Sequence, residues 1–282
     1  MAALLGATDA ADAAASEGAA AAEEEDPVAI ATRAAAAATA GVWDEVDAVA
    51  THAGRNDTGA ARDEEVVAYG RASVRIAVDW RVGIGGGAWE RGLAVCAHLA
   101  RYEARYRALS PWPLRILELG AGTGIAGLYA GALFRDATVV LTDLGDHLDL
   151  LDVNVYRNEL QERVRAKVLD WKDASSWTAL DDAPDLIVAT DCAYHPSLYR
   201  PFADVLARAC RSRKTTCLVG VTKQDTTAAF YAMLDAAGLE YVLAEEPADS
   251  YAALFAIRKA RPFGEARDPK HPPWAAPESA VL

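Results

Sequence analysis

The stretch Ile116-Leu117-Glu118-Leu119-Gly120-Ala121-Gly122-Thr123-Gly124 decides the fold. The short apolar run 114–119 predicts a buried strand, and the apolar residues at 125–133 predict a helix. Three alternating glycines join these two elements, and glycine permits both a tight turn and a close approach of the backbone to a ligand. The stretch therefore predicts a strand, a turn and a helix, with a ligand site at the carboxyl end of the strand.

The residues on both sides of this stretch continue the alternation of strand and helix. A short N-terminal strand or hairpin is indicated by the alternation of Val74, Ile76 and Val78 with less apolar residues. The spacing of Val95, Leu99, Tyr102 and Tyr106 indicates one helix before Pro111. After the glycines, strands are predicted at 137–142, 164–169, 185–190, 215–221, 239–244 and 251–257, and helices at 146–160, 197–210 and 226–237.

This order of elements predicts an α/β fold. Strands that alternate with helices form a mostly parallel sheet covered by helices on both faces. The last two predicted strands have no helix between them, so we expect one of them to run antiparallel. The sequence thus indicates a Rossmann-like, seven-stranded, mostly parallel sheet with a short N-terminal strand or hairpin extension.

The composition divides the chain into three parts. Residues 1–60 are predicted to form an Ala-rich, low-complexity and partly helical extension. Its first 26 residues contain seven acidic side chains and no Lys or Arg. Residues 61–260 carry the strand and helix pattern and are expected to form the catalytic domain. Residues 261–282 are rich in proline and are expected to form a disordered tail.

Charge and composition argue against several classes of protein. The formal net charge is -13, and an acidic protein gains no counterion-release binding to nucleic acid, so we expect no nucleic-acid partner. Four cysteines without a CxxC pair and five scattered histidines indicate buried reduced thiols and no metal site. We find no membrane span and no secretory or transit signal, and we expect a monomer in the cytoplasm or nucleus.

The glycine turn favours one kind of ligand over another. The spacing is GxGxG rather than the GxGxxG of dinucleotide sites, and the acid Glu118 lies directly ahead of the turn. A carboxylate there would repel a pyrophosphate but suits a cofactor with a cationic amino-acid head group. The stretch therefore favours S-adenosylmethionine (SAM), with NAD-type binding and a plain structural turn as alternatives.

Two further features fit a SAM site. Asp143 ends the next strand, about 20 residues past the turn, where a carboxylate can accept both ribose hydroxyls; an acid near a helix N-terminus is the alternative. Trp89 follows a run of three glycines, and Trp171 follows the strand predicted at 164–169. An indole at a strand end can stack on adenine or face a sulfonium cation, although either residue could simply belong to the core.

The stretch Asp191-Cys192-Ala193-Tyr194 follows another predicted strand. The end of that strand borders the cleft in a sheet of this kind, so the carboxylate and the phenol could reach a bound amine. The alternative is that Asp191 caps the next helix and that Tyr194 packs against it.

Five motifs in this order resemble a known family. The motifs are 85–90 (GGGAWE), 117–124 (LELGAGTG), 141–144 (LTDL), 168–171 (VLDW) and 191–194 (DCAY). They are similar to those of seven-β-strand, SAM-dependent protein-lysine methyltransferases with a DxxY motif, of the methyltransferase-like 21 type. Within that group the chain looks most like the enzymes that methylate valosin-containing protein or Hsp70 chaperones.

The resemblance implies a set of functional residues. The residues expected to line the SAM site are Trp89, Glu118, Gly120, Ala121, Gly122, Asp143, Trp171 and Thr190. Asp191 and Tyr194 are expected to face the substrate lysine of a protein such as a chaperone or an AAA ATPase. Position 190 is Thr where relatives often have Ala, and the two ends of the chain do not match the family.

Two rival hypotheses remain. A SAM-dependent methyltransferase that acts on a small molecule or RNA would share the fold and the glycine turn, and only the DxxY resemblance disfavours it. A degenerate SAM-fold interaction module would be expected to have lost the glycines or the acids, and these are intact in the sequence.

Overall fold

The computed structural model describes residues 64–223, 226–246 and 251–260. Its nine strands are β1 (Glu64–Tyr69), β2 (Ala72–Ala77), β3 (Arg115–Leu119), β4 (Thr138–Asp143), β5 (Val164–Val168), β6 (Leu186–Thr190), β7 (Thr216–Thr222), β8 (Leu239–Glu245) and β9 (Ala252–Lys259). The α-helices of the described residues are α1 (Glu90–Arg101), α2 (Glu103–Arg107), α3 (Ile125–Leu133), α4 (Leu148–Arg157), α5 (Pro196–Ala209) and α6 (Ala228–Ala236).

The strands form a seven-stranded sheet and a separate hairpin. The order in the sheet is β5-β4-β3-β6-β7-β9-β8, and β1 pairs with β2 in the antiparallel hairpin. Neighbours from β5 to β7 run parallel, whereas β9 is antiparallel to both β7 and β8. The predicted fold class is confirmed, including the antiparallel strand near the C-terminal end of the pattern.

Both faces of the sheet are covered, and the central strands β3 and β6 carry apolar residues that point to each face. Ile116 and Val188 belong to a core cluster that also contains residues of α1, α3 and α4. Their chain neighbours Leu117 and Ile187 belong to the opposite cluster, which contains residues of α5 and α6. This is the pattern of a parallel sheet buried on both faces, with side chains alternating between the faces.

The structure corrects the prediction of one continuous helix before Pro111. Tyr102 leaves helical geometry at φ -109° and ψ 26°, so the region consists of α1 and the short α2. Tyr106 of α2 is nevertheless buried, and its hydroxyl lies 2.9 Å from Nε2 of His98 in α1. The apolar spacing therefore identified the buried face but not the break.

The cysteines agree with the expectation of buried thiols. Cys96, Cys192, Cys210 and Cys217 are all buried and free.

In the described part of the chain, no helix has both the length and the apolar character to cross a membrane. The predicted extension 1–60 and tail 261–282 lie outside the described residues, and the predicted domain boundaries stay predictions.

Asn154 of α4 connects the hairpin to the sheet. The side chain is fully buried, and its Oδ1 accepts a hydrogen bond from the Ala77 amide at 2.7 Å. Its Nδ2 donates to the carbonyl oxygens of Ala77 at 3.0 Å and Thr123 at 2.9 Å. One amide therefore ties the end of the hairpin to the glycine turn, and buried backbone groups of this kind need such partners.

Asn154→Ala is expected to lower the free energy of unfolding by about 2–4 kcal/mol, because it leaves three buried backbone groups without a partner. Urea denaturation of the two proteins measures the difference. Asn158→Ala is the matched control, since Asn158 bonds to both backbone groups of Arg75 at 2.8 Å but is only half-buried. Water can replace those bonds, so equal losses in the two variants would contradict the role given to Asn154.

Candidate active site

A cavity of about 700 Å³ lies at the carboxyl ends of the parallel strands. This size is within the range of sites for small ligands. Nine of the residues predicted from the sequence line it: Trp89, Gly120, Ala121, Gly122, Asp143, Trp171, Thr190, Asp191 and Tyr194. Glu118 is the one predicted site residue that is absent from the lining. The position of the cavity follows from the topology, because parallel strands end together at one edge.

The glycine turn between β3 and α3 has a backbone that requires glycine. Gly120, Gly122 and Gly124 have φ angles of 62°, 54° and 78°, in the left-handed region. A Cβ placed on Gly122 would lie 2.5 Å from the carbonyl oxygen of Gly85. The backbone of Gly85 therefore packs directly on the turn, and a side chain at position 122 would force the two segments apart.

The Asp143 carboxylate is fixed in place by backbone amides. Its Oδ2 accepts a hydrogen bond from the Gly122 amide, and its Oδ1 accepts one from the Leu144 amide, both at 2.7 Å. A carboxylate has about four acceptor positions, so two such bonds leave room for further donors from a ligand. Asp143 thus joins the glycine turn to the end of β4 and presents a partly exposed anion to the cavity.

Both predicted tryptophans line the cavity while packing against other aromatic rings. The Trp89 indole donates to the carbonyl oxygen of Ile84 at 2.9 Å and meets the Trp80 ring edge-on. The Trp171 ring lies 5.2 Å from that of Phe202 in α5. Each indole is held by protein contacts on one side and is partly exposed to the cavity, which is suitable for contact with an aromatic or cationic ligand.

Asp191 follows β6 in an unusual conformation. Its φ is 57°, a left-handed value that Asp tolerates better than most side chains. Its Oδ1 lies 2.6 Å from Nε of Arg91 and accepts the Thr222 hydroxyl at 3.2 Å. The alternative that Asp191 caps α5 is wrong, because the side chain of His195 caps that helix by accepting from the Ser197 amide.

Tyr194 lies at the rim of the same end of the cavity. Its side chain is exposed and lines the cavity. Thr190 is the last residue of β6 and is partly buried beside Asp191. The carboxylates that line the cavity thus include Asp143, the last residue of β4, and Asp191, which follows β6.

Glu118 lies beneath the turn instead of in the cavity. The side chain is buried, and its Oε2 accepts the Gly127 amide of α3 at 2.9 Å. Burial raises the pKa of this carboxyl to about 8, against the opposing effect of the amide. The Glu118 side chain therefore faces α3 and does not line the cavity, because the pleat turns it in that direction.

Sequence reasoning missed several residues that line the cavity, among them Arg91, His147 and Asp170. Asp170 lies within the quoted motif at 168–171 and could have been found there. Arg91 and His147 carry no signal in the sequence that separates them from ordinary surface residues. Among the described residues, no group of three or more His, Cys, Asp or Glu side chains could hold a metal ion.

Comparison with known proteins identifies the family. A family model described as "Lysine methyltransferase" matches residues 70–237, more than half of the chain. The chain belongs to the lysine methyltransferase family. The match includes the glycine turn, the cavity tryptophans Trp89 and Trp171, and the carboxylates of Asp143 and Asp191.

Individual relatives of this chain are also named as lysine methyltransferases. Protein N-lysine methyltransferase METTL21A of Danio rerio is 32% identical over 129 residues, which are 43% of this chain and 54% of the relative. Protein-lysine N-methyltransferase EFM6 of Saccharomyces cerevisiae is 31% identical over 132 residues, covering 40% and 52%. The aligned part of the chain thus spans about half the length of these relatives.

Solved structures similar to this chain are more distant. An O-methyltransferase family protein from Burkholderia thailandensis is 14% identical, with coverage of 60% of this chain and 59% of that protein, and a TM-score of 0.45. A likeness at this level does not indicate which reaction this chain catalyses.

Glu118→Gln is expected to change how stability depends on pH. An acid whose pKa is raised by folding costs nothing below its unfolded pKa of about 4.3 and costs progressively more as pH rises towards its folded value. The wild-type protein should therefore lose stability relative to Glu118→Gln between about pH 5 and pH 8, by up to roughly 1 kcal/mol per pH unit. Urea denaturation at several pH values measures this difference.

The Gln side chain keeps an acceptor for the Gly127 amide, so the variant isolates the effect of ionisation. Glu162→Gln, at an exposed position, is the control for a change in net charge. A difference between wild type and Glu118→Gln that stays constant over this pH range would show that Glu118 does not titrate as its burial requires.

Proposed function

We propose that this chain transfers the methyl group of SAM to a lysine side chain of a protein substrate. The observation that carries the proposal is a single cavity, in a chain of the lysine methyltransferase family, with Asp143 and the glycine turn at one end and Asp191 at the other. Such a cavity can hold a cofactor and an amine close to each other. Binding in a fixed orientation accounts for a large part of the rate enhancement in a two-reactant transfer.

The residues at the first end fit SAM. The Asp143 carboxylate retains acceptor capacity for ribose hydroxyls, and the glycines let the backbone approach a ligand closely. The Trp89 and Trp171 indoles offer faces to a ring or a sulfonium cation. When bound, SAM supplies an electrophilic methyl group on a positively charged sulfur that leaves as a neutral thioether.

The residues at the second end fit a lysine. A free lysine has a pKa near ~10.4 and arrives as the ammonium ion, which a carboxylate such as Asp191 attracts. Transfer requires the neutral amine, so the site must first hold the ammonium ion and then favour loss of its proton. Enclosure in a partly buried cavity next to a second positive charge favours that loss. Tyr194 at the rim can contact the aliphatic stem of the lysine.

A protein target is favoured over RNA or a small molecule. The family is described by lysine methylation, and the names of the relatives specify lysine in proteins. The net charge of -13 opposes RNA binding, and the sequence after β6 is Asp-Cys-Ala-Tyr rather than the Asn/Asp-Pro-Pro-Tyr of enzymes that methylate base amino groups. As a finer part of the proposal, we take the target to be a chaperone or an AAA ATPase, methylated by a monomer in the cytoplasm or nucleus.

Asp143→Ala should weaken SAM binding by roughly 2–4 kcal/mol, because the ligand would lose charge-assisted hydrogen bonds to the carboxylate. Isothermal titration calorimetry with SAM measures the change. Asp149→Ala, an exposed carboxylate in the first turn of α4, is the control and should bind SAM as the wild type does. Equal affinity of Asp143→Ala and wild type would remove Asp143 from the cofactor site.

Asp191→Asn should lower the rate of protein methylation at least about 100-fold, the scale of one well-placed group. Asn accepts the left-handed backbone and keeps an oxygen acceptor, so the fold and the SAM affinity should change little. Asp185→Asn is a close control, because Asp185 precedes β6 as Asp191 follows it, and both side chains pair with an arginine at 17% and 18% exposure.

The assay incubates each protein with tritiated SAM and a methylation-deficient lysate, followed by mass spectrometry of the labelled band. Methyl-lysine in a chaperone or an AAA ATPase would support the whole proposal, and methyl-lysine in another protein would support all but the finer target. Label in RNA or in small molecules alone would reject protein methylation. The absence of both SAM binding and label would favour a non-enzymatic module.

A further inference from the structure

Arg91 is the residue at the second end of the cavity that the proposed function leaves unexplained. It lies in the first turn of α1, and its Nε is 2.6 Å from Oδ1 of Asp191. Its guanidinium carbon is 5.8 Å from the centroid of the Trp89 ring. Both side chains of the ion pair are largely withdrawn from solvent, with 16% and 18% exposure, and both line the cavity.

The backbone around this pair brings α1 and Asp191 together. A Cβ placed on Gly220 in β7 would lie 3.4 Å from both Cβ and the carbonyl oxygen of Arg91. The carbonyl oxygen of Gly220 accepts the Asp191 amide at 3.0 Å. The first turn of α1 thus packs on β7 at a glycine next to Asp191, so the position of Arg91 is fixed by the backbone of both elements.

A lysine ammonium that enters this end would meet a carboxylate that is already paired with a cation. Thr222 of β7 contributes a hydroxyl to the same carboxylate oxygen, and Tyr194 lies on the same loop as Asp191. Lys223 pairs with Glu246, and Asp143 is bonded to the Gly122 and Leu144 amides. Burial, and to a smaller extent the nearby carboxylates, raises the pKa of the Cys192 thiol well above its usual value, so the thiol stays neutral. Arg91 is thus a cation in direct contact with Asp191.

We propose that Arg91 is a positioning residue that keeps Asp191 from holding the substrate as a stable ammonium ion, so that the lysine loses its proton near neutral pH. The inference rests on the proposed function and extends it to the control of protonation. The ammonium releases its proton to solvent, and the nitrogen lone pair forms the new N–C bond. As that bond formed, the methyl–sulfur bond of SAM would break in the same step, and its electron pair would remain on the departing sulfur.

Charge and shape can be separated at this position. Arg91→Gln retains a hydrogen-bond donor for Asp191 but removes the charge, whereas Arg91→Lys keeps the charge but not the planar donor group. A nearby charge shifts a pKa by about 1–3 units. Arg91→Gln should therefore move the rise in rate to higher pH by about 1 unit and lower the rate at neutral pH about 10-fold. Arg91→Lys should stay near the wild-type profile.

The test uses tritiated SAM and dilutions of the same methylation-deficient lysate, with methyl-lysine counted after hydrolysis from about pH 6 to about pH 10. The lysate concentration at half-maximal rate should not increase in Arg91→Gln, because Asp191 without a positive charge beside it attracts the ammonium more strongly. Arg115→Gln, which removes the arginine paired with Asp185, is the matched control and should keep the wild-type profile. Thermal melts and SAM titrations check that each variant is folded. If Arg91→Gln does not fold, Arg91→Met, which also lacks the charge, takes its place.

Each outcome bears on the proposal in a different way. A wild type that labels lysine, with an unchanged profile in Arg91→Gln, overturns the inference and leaves the proposed function standing. Equal defects in the Gln and Lys variants would mean that Arg91 acts through its shape, and a faster Gln variant would make it a competitor of the substrate. Both results reject the inference. A wild type that binds SAM but labels no lysine rejects the proposed function and the inference together.

Discussion

The close approach of the segment 85–87 to the glycine turn is the contact on which the rest of the cavity depends. The carbonyl oxygen of Gly85 occupies the space that a Cβ of Gly122 would need, so position 122 must lack a side chain. The contact brings the residues that precede the sheet in sequence over the carboxyl ends of its strands. Trp89 and Arg91 reach the cavity for this reason, and Asn154 stabilises the arrangement by tying the hairpin to the turn.

The parts of the site that the sequence predicts are those that depend on local pattern and on topology. Alternating strands and helices imply that strand ends share one edge, and residues that follow a strand are therefore expected near one another. Asp143, Trp171 and Asp191 all meet this condition, and each lines the cavity. The glycine turn is equally local, because its positive φ angles are a property of consecutive residues.

The parts that the sequence does not predict depend on contacts between distant residues. Glu118 looks like a cavity carboxylate from its place before the turn, yet the pleat directs it to the Gly127 amide under α3. Deciding between the two directions requires knowledge of which face α3 covers. Arg91 and Asp191 are separated by 100 residues, and an arginine in the first turn of a helix is ordinarily a solvated residue. Only the packing of α1 on Gly220 brings the pair together.

The two aspartates that flank β6 show how much of the chemistry is a matter of position in the sheet. Asp185 and Asp191 are similarly buried, and each pairs with an arginine. Asp185 also accepts the backbone amide of Arg115, so its contacts serve to join two strands at the amino edge. Asp191 has a left-handed backbone and faces a cavity, and its partners come from α1 and β7. An aspartate–arginine ion pair therefore joins two strands at the amino end of β6. A pair of the same kind at the carboxyl end of β6 borders a space that can admit an amine.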